Sequence, residues 1–151
     1  MDTPKTLIVD DETSTLEFCE GVFRTAGHKT RACETAHEAR LLMGEEPFDN
    51  ILLDIHLKST SGIELCREIR NPEAAIYRPS LWVIGFTADH KHETIMAMLL
   101  AGANDYLLKP ATPEQLWVKA TVALFAQPKL WALKKRNALL EKEIERMARL
   151  H

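Results

Sequence analysis

No stretch of this chain is apolar for anything near the ~20 residues that cross a bilayer, so neither a membrane span nor a membrane partner is expected. The first residues, Met1-Asp2-Thr3-Pro4-Lys5, lack the pattern of a secretory signal. Charge of one sign is not in excess: 19 Lys and Arg stand against 22 Asp and Glu, a net charge of −3. That balance gives no general attraction to nucleic acid or to an anionic membrane. Cysteine is scarce. Cys19, Cys33 and Cys66 form no metal-type spacing, and an odd count argues against a disulfide framework. Buried, reduced thiols in a cytoplasmic protein are the expectation.

What is present fits one globular domain. The chain has 151 residues, 46% hydrophobic and 27% charged, enough for one well-buried core and not for two. Strand and helix signals alternate along it. Thr6–Val9 is a short apolar run ending in Asp10-Asp11. A helical stretch follows, with Leu16, Phe18, Val22 and Phe23 as candidate inward residues, stopped at Ala26-Gly27. Lys29–Cys33 reads as a second strand and Ala36–Met43 as a second helix closed by Gly44. Ile51–Leu53 is a third strand, and Ile63–Ile69 a third helix broken at Asn71-Pro72. Leu81–Phe86, Thr94–Leu100 and Tyr106–Leu108 read as strand, helix and strand. A fifth helix begins with Thr112 as N-cap and Pro113 in its first turn, and runs to about Phe125. The segment from Asn71 to Ser80 is long for such a connection.

Five β-α units in succession imply a doubly wound parallel sheet with helices on both faces. In such sheets the ligand site lies at the carboxyl ends of the strands. Those ends carry Asp10-Asp11, Asp54, Thr87 and Lys109. Three carboxylates at one edge repel, at roughly 3 kcal/mol per pair for ~5 Å and an effective dielectric of about 20. A divalent cation accounts for accepting that cost, and hard oxygen donors suit Mg²⁺, or Mn²⁺ in its place. Asp54, carried out of the core on a strand, is placed to be a nucleophile that forms an aspartyl-phosphate. Lys109 and Thr87 would neutralise and hold the phosphoryl oxygens. Taken singly these residues have blander readings: Asp10 and Asp11 as helix caps, with Thr13 or Ser14 able to cap instead, Lys109 as a solvated lysine, Thr87 as a turn residue. His28, His37, His90, His92 and His151 join no ligand pattern and read as surface residues.

The sequence resembles the receiver domain of two-component response regulators. The resemblance spans residues 5 to about 126. It rests on Leu7-Ile8-Val9-Asp10-Asp11-Glu12, Leu53-Asp54, Gly62, Phe86-Thr87-Ala88 and Asp105-Tyr106-Leu107-Leu108-Lys109-Pro110, in that order. It implies a flavodoxin-like sheet in the order 2-1-3-4-5. It also implies a cation held by Asp10, Asp11, Asp54 and the backbone carbonyl of His56. Asp54 would be phosphorylated by a histidine kinase or phosphotransfer protein, with Lys109 paired to the phosphoryl group. Thr87 would move to bond that group, Tyr106 would turn inward as the second switch residue, and the Lys109-Pro110 peptide would be cis. Two departures stand out: Leu57-Lys58 replace the family's usual Met-Pro, and His56 stands where Asn or Asp is frequent. Such a chain is a switch rather than an enzyme, its chemistry confined to its own phosphorylation and dephosphorylation. The competing readings are a degenerate receiver that only binds proteins and an aspartate-nucleophile phosphatase, which would need an acid in the place of His56.

Residues 1–127 are assigned to the receiver and 128–151 to a helical extension. Pro128 is expected to end or kink helix five, leaving 129–151 as a separate helix. There Leu130, Asn137, Ile144 and His151 recur every seven residues, and Leu133, Leu140 and Met147 recur three later. This is an a/d seam with Asn137 at an a position, as in parallel dimers, and Arg136 at g facing Glu141 at e of a partner. A homodimer and a lead into an output domain are expected; an amphipathic helix folded back on the receiver is the alternative. Acids interleave with the bases after Lys134-Lys135-Arg136, so this segment is not expected to bind nucleic acid.

Overall fold

The computed structural model describes residues 3–150, except for the side chains of residues 127–131 and 134. The elements run β1 (Lys5–Val9), α1 (Thr13–Thr25), β2 (Lys29–Cys33), α2 (Ala36–Glu45), β3 (Asn50–Asp54), α3 (Gly62–Ile69), β4 (Trp82–Thr87), α4 (His92–Leu100), β5 (Asp105–Leu108) and α5 (Pro113–Arg149). All strand pairs are parallel, in the order β2-β1-β3-β4-β5. The apolar residues of the strands alternate between faces, as period-two geometry requires. Leu7, Val9, Ile51, Leu53 and Val83 pack with α2, α3 and α4. Ile8, Leu52, Ile84, Phe86 and Leu107 pack with α1 and α5. Both faces are therefore covered, which explains the nearly continuous apolar runs of β1, β3 and β4. β2 lies at the edge and keeps charged Lys29 and Arg31 outward, with only Cys33 fully buried. All three cysteines are free and buried.

Several local expectations are corrected. On α1 the inward positions are Leu16, Cys19 and Phe23, while Phe18 is turned outward; Cys19 holds the i+3 place of that stripe. Neither Thr13 nor Ser14 caps α1. Glu12 is its N-cap without a side-chain capping bond, and Asp10 Oδ1 accepts from the Glu12 N–H at 3.0 Å. Gly44 lies within α2, not after it. His28 is buried, not at the surface: Thr6 Oγ1 lies 2.6 Å from its Nδ1, and its Nε2 is 2.9 Å from the Ala120 carbonyl of α5.

α5 does not end at Pro128. It is a single helix of 37 residues, roughly 55 Å long at 1.5 Å per residue. Interior proline costs about 3 kcal/mol, but Ala, Leu, Lys, Glu and Arg dominate on both sides and carry the helix through. The segment expected as a separate helix is its continuation. Leu133, Asn137, Leu140, Ile144 and Met147 are exposed, so these residues do not fold back on the sheet; the side chain of Leu130 and all of His151 lie outside the described residues. The start of α5 is as expected, with a capping box between Thr112 and Gln115 and Pro113 in the first turn.

The long connection between α3 and β4 is held by one side chain. The Arg70 guanidinium donates to the carbonyls of Gly102, Arg78 and Leu81 at 3.0, 2.8 and 2.7 Å, and to Asn104 Oδ1 at 2.9 Å. Arg78 in turn donates to the Met43 carbonyl at 3.2 Å. Backbone acceptors in the α3-β4 and α4-β5 connections and at the end of α2 are thereby satisfied.

Candidate functional site

The carboxyl ends of β1 and β3 are neighbours, and they bring Asp10, Asp11 and Asp54 together. Each offers a carboxylate oxygen lying within 4.8 Å of the others. Asp10 and Asp54 are buried, at 2% and 5% exposure, and Asp11 is half-buried at the rim. Lys109, just past β5, reaches across the sheet edge. Its Nζ lies 2.7 Å from Asp10 Oδ2 and 3.5 Å from Asp54 Oδ2, and 5.0 Å from the centre of the Phe86 ring. The Lys109-Pro110 peptide is cis. Thr87, the last residue of β4, is fully buried, and its Oγ1 accepts from the Asp89 N–H at 2.9 Å.

The electrostatics follow from burial with a single cation among three acids. Burial pushes the Asp54 carboxyl up to about 6; Lys109 pulls it down, Asp10 pushes it up, the His56 N–H bond to Oδ1 at 3.1 Å pulls it down and Asp11 pushes it up. It is still ionised about ten to one at pH 7. Burial disfavours the Lys109 ammonium, but its bonds and charge pairing with Asp10 and Asp54 outweigh this and hold it above the ordinary lysine range.

Backbone packing sets the acid loop. Gly62 opens α3 directly beneath Asp54: a Cβ on Gly62 would stand 2.1 Å from the Asp54 carbonyl oxygen. The Gly62 N–H donates to the Ile55 carbonyl at 2.8 Å, and His56 bridges to Ser61 across the loop. Ser61 caps α3 through the Ile63 N–H.

Of the residues singled out in the sequence, Asp10, Asp11, Asp54 and Lys109 converge. Thr87 ends the adjacent strand. Tyr106 lies partly exposed on β5. The His56 side chain is exposed and stands 3.7 Å from Asp89 Oδ2. Asp89 escaped the sequence reading. Its carboxyl is held below the usual range by the Lys91 N–H and the Thr94 hydroxyl, so it fixes the start of α4. Its place two residues beyond Thr87 and shortly before a helix was the available signal. Phe86, part of the strand-end motif Phe86-Thr87-Ala88, lies beneath the Lys109 ammonium, a contact the sequence does not announce.

Comparison with known proteins agrees with this geometry. The model of the response regulator receiver domain matches residues 6–121. The phosphate regulon transcriptional regulatory protein PhoB of Pseudomonas aeruginosa is 33% identical over 118 residues, 78% of this chain and 50% of that protein. The alginate biosynthesis transcriptional regulatory protein AlgB of Pseudomonas syringae is 30% identical over 140 residues, 93% of this chain and 29% of that protein. The chain thus spans half or less of the length of these two relatives. Among solved structures, the CheY-like response regulator receiver domain protein of Methanospirillum hungatei superimposes with a TM-score of 0.77 at 30% identity, covering 85% of this chain and 98% of that one. The BeF3-activated DrrB receiver domain gives a TM-score of 0.71 at 30% identity, covering 82% and 98%.

Proposed function

The chain belongs to the response regulator receiver domain family, and from that membership we propose that it is a phosphorylatable switch whose acceptor is Asp54. The donor is the phosphorylated histidine of a histidine kinase or phosphotransfer protein. The observation that carries this reading is the buried Asp54 carboxylate at the end of β3, with Lys109 Nζ at 3.5 Å and two further carboxylates within 4.8 Å. Burial strips water from the nucleophile, yet its pKa of about 6 leaves it ionised at neutral pH.

The donor set fits a hard divalent cation: three carboxylates, one of them at the rim where water ligands reach. Asp10, Asp11, Asp54 and the backbone carbonyl of His56 would hold Mg²⁺ or Mn²⁺. Bound there, the ion offsets the repulsion among the acids and the charge on the transferring phosphoryl oxygens. Lys109 gives up part of its contact with Asp10 to pair with the phosphoryl group. Thr87 leaves the Asp89 N–H and donates its hydroxyl to a phosphoryl oxygen, and Tyr106 moves from its partly exposed position into the space behind it. Such a local charge event biases a two-state surface. The reading favours a functional receiver over a degenerate one, because acids, hydroxyl and ammonium are all in place. It disfavours a phosphatase, because His56 stands where that chemistry needs an acid.

Residues 1–127 act as the receiver, and the exposed end of α5 pairs two chains and leads to an output region, a role consistent with relatives of which this chain matches 50% and 29% of the length. The test is intact-mass analysis after incubation with acetyl phosphate and Mg²⁺. One phosphoryl group is expected on the parent chain and none on Asp54→Asn; equal labelling of the variant would remove Asp54 from the mechanism.

A further inference from the structure

Because α5 is unbroken, its outward face can be followed from the receiver into the tail on one helical phase. Val118, Val122 and Phe125 project from the receiver half, and Leu133, Leu140, Ile144 and Met147 from the tail. These seven side chains are 42% to 68% exposed. Their spacing is 4-3-4 repeated: positions 118, 122 and 125 recur at 129, 133 and 136, and again at 140, 144 and 147. Only Lys129 and Arg136 break the apolar set. At 100° per residue all nine positions fall in an arc of about 100°, the width of an apolar helix stripe. An eleven-residue period keeps such a stripe nearly straight, with a slight right-handed drift, where a seven-residue period would wind it left-handed. On this phase Leu130 and Asn137 of the heptad seam lie beyond the margin of the stripe.

We propose that this stripe, from Val118 to Met147, is one continuous interface that pairs with the same stripe of a second copy of the chain, in parallel. The inference rests on the proposed tail dimer and relocates its contact: the interface begins inside the receiver, and its register is set by an eleven-residue repeat rather than by Asn137. Three features select this occupant. A partner must present a straight apolar helix of roughly 44 Å to cover 118–147, and α5 of a second copy is such a helix. The surface available matches: at the observed exposure the seven side chains offer on the order of 600–700 Å² per chain, against ~800 Å² per partner in a standard interface. Finally, parallel pairing sets receiver third against receiver third and tail third against tail third, so that like positions of the repeat meet along the whole stripe. Arg136 lies about 20° inside one margin of the arc, where its aliphatic stem can cover apolar surface while its guanidinium reaches water. Position 129 sits near the middle, and a single central lysine is a recognised way to specify a dimer at some cost in stability. Two receivers joined along α5 share the helix that follows Lys109, so a change at one acid site is presented directly to the partner.

Sedimentation equilibrium on the full chain tests this with three single variants, circular dichroism confirming that each keeps the helical content of the parent. The parent is expected to dimerise at or below ~100 μM, a concentration that accommodates short helical pairs. Val122→Glu, in the receiver half, and Ile144→Glu, in the tail half, are each expected to raise the dissociation constant by about tenfold or more, because each buries two carboxylates in an apolar seam. Asn137→Leu is expected to change it by less than about threefold, the ordinary range for an exposed substitution. If Ile144→Glu disrupts the dimer, Val122→Glu does not, and Asn137→Leu shifts it strongly, the tail pairs by heptads and the continuous stripe is wrong while the tail dimer stands. If the parent is monomeric at ~100 μM, both are wrong.

Discussion

Removing the charge of Asp54 should stabilise the metal-free protein, and by an amount that depends on pH in a defined direction. Burial raises the Asp54 pKa from 3.8 to about 6. A raised carboxyl favours the protonated native state, so its contribution is fully present below the unfolded value and is lost as pH rises through the folded one. Over the whole window the loss is about 3 kcal/mol, at 1.36 kcal/mol per unit. Between pH 4.5 and pH 8 it is about 2 kcal/mol, because the unfolded carboxyl is already largely ionised at the lower pH. Asn mimics the protonated acid and does not titrate. The stability of Asp54→Asn relative to the parent should therefore grow by about 2 kcal/mol from pH 4.5 to pH 8 in metal-depleted buffer, whatever fixed cost the amide carries. Urea unfolding at the two pH values measures it, and comparing the two differences cancels packing effects common to both. A relative stability that is the same at both pH values, or that falls as pH rises, would show that Asp54 is not desolvated by its burial and would refute the reasoning.

Other consequences follow from the same site and from the core. Asp11→Asn, which removes one member of the acid cluster, is expected to raise stability in EDTA by on the order of 1–3 kcal/mol and to weaken the stabilisation given by Mg²⁺; a variant less stable than its parent in EDTA would make Asp11 a structural residue. Gly62→Ala drives a methyl group to 2.1 Å from the Asp54 carbonyl, so it should cost more than about 2 kcal/mol and depress phosphorylation by displacing the acid loop; wild-type stability and labelling rate would contradict this. His28 is buried, chiefly by desolvation its pKa falls below 6.5, and the unfolded chain therefore takes up the proton first. Its stabilising effect is present above pH 6.5 and is lost as pH falls below that value, so His28→Gln should flatten the acid limb of the stability profile, and an unchanged limb would assign the loss to other groups.

The fold was legible because the strands are doubly covered and announce themselves as apolar runs, and because the motif residues sit at their ends. Asp10, Asp11, Asp54 and Lys109 were found for that reason: charged side chains that directly follow a buried strand have few structural explanations. The misses have physical causes as well. Phe18 and Cys19 are adjacent on α1, and hydrophobicity alone prefers the phenyl ring, whereas the helical phase set by Leu16 and Phe23 selects the thiol. His28 looks like a loop residue in sequence, and only tertiary placement shows Thr6 and Ala120 receiving its two nitrogens. Pro128 suggests an end or a kink because local propensity weighs proline heavily; the long run of helix formers on either side outweighs it. Arg70 is the reason a long α3-β4 connection is tolerated, and no local pattern marks an arginine that gathers carbonyls from two separate segments.

The central claim, that Asp54 receives the phosphoryl group, is tested most directly by mapping the modified residue. Phosphorylation with acetyl phosphate and Mg²⁺, reduction with borohydride and peptide sequencing by mass spectrometry should place a single reduced acyl phosphate at position 54, with none at Asp10, Asp11 or Asp89. Modification at one of those acids, or a phosphoryl group that resists borohydride because it sits on a hydroxyl or an imidazole, would contradict the account.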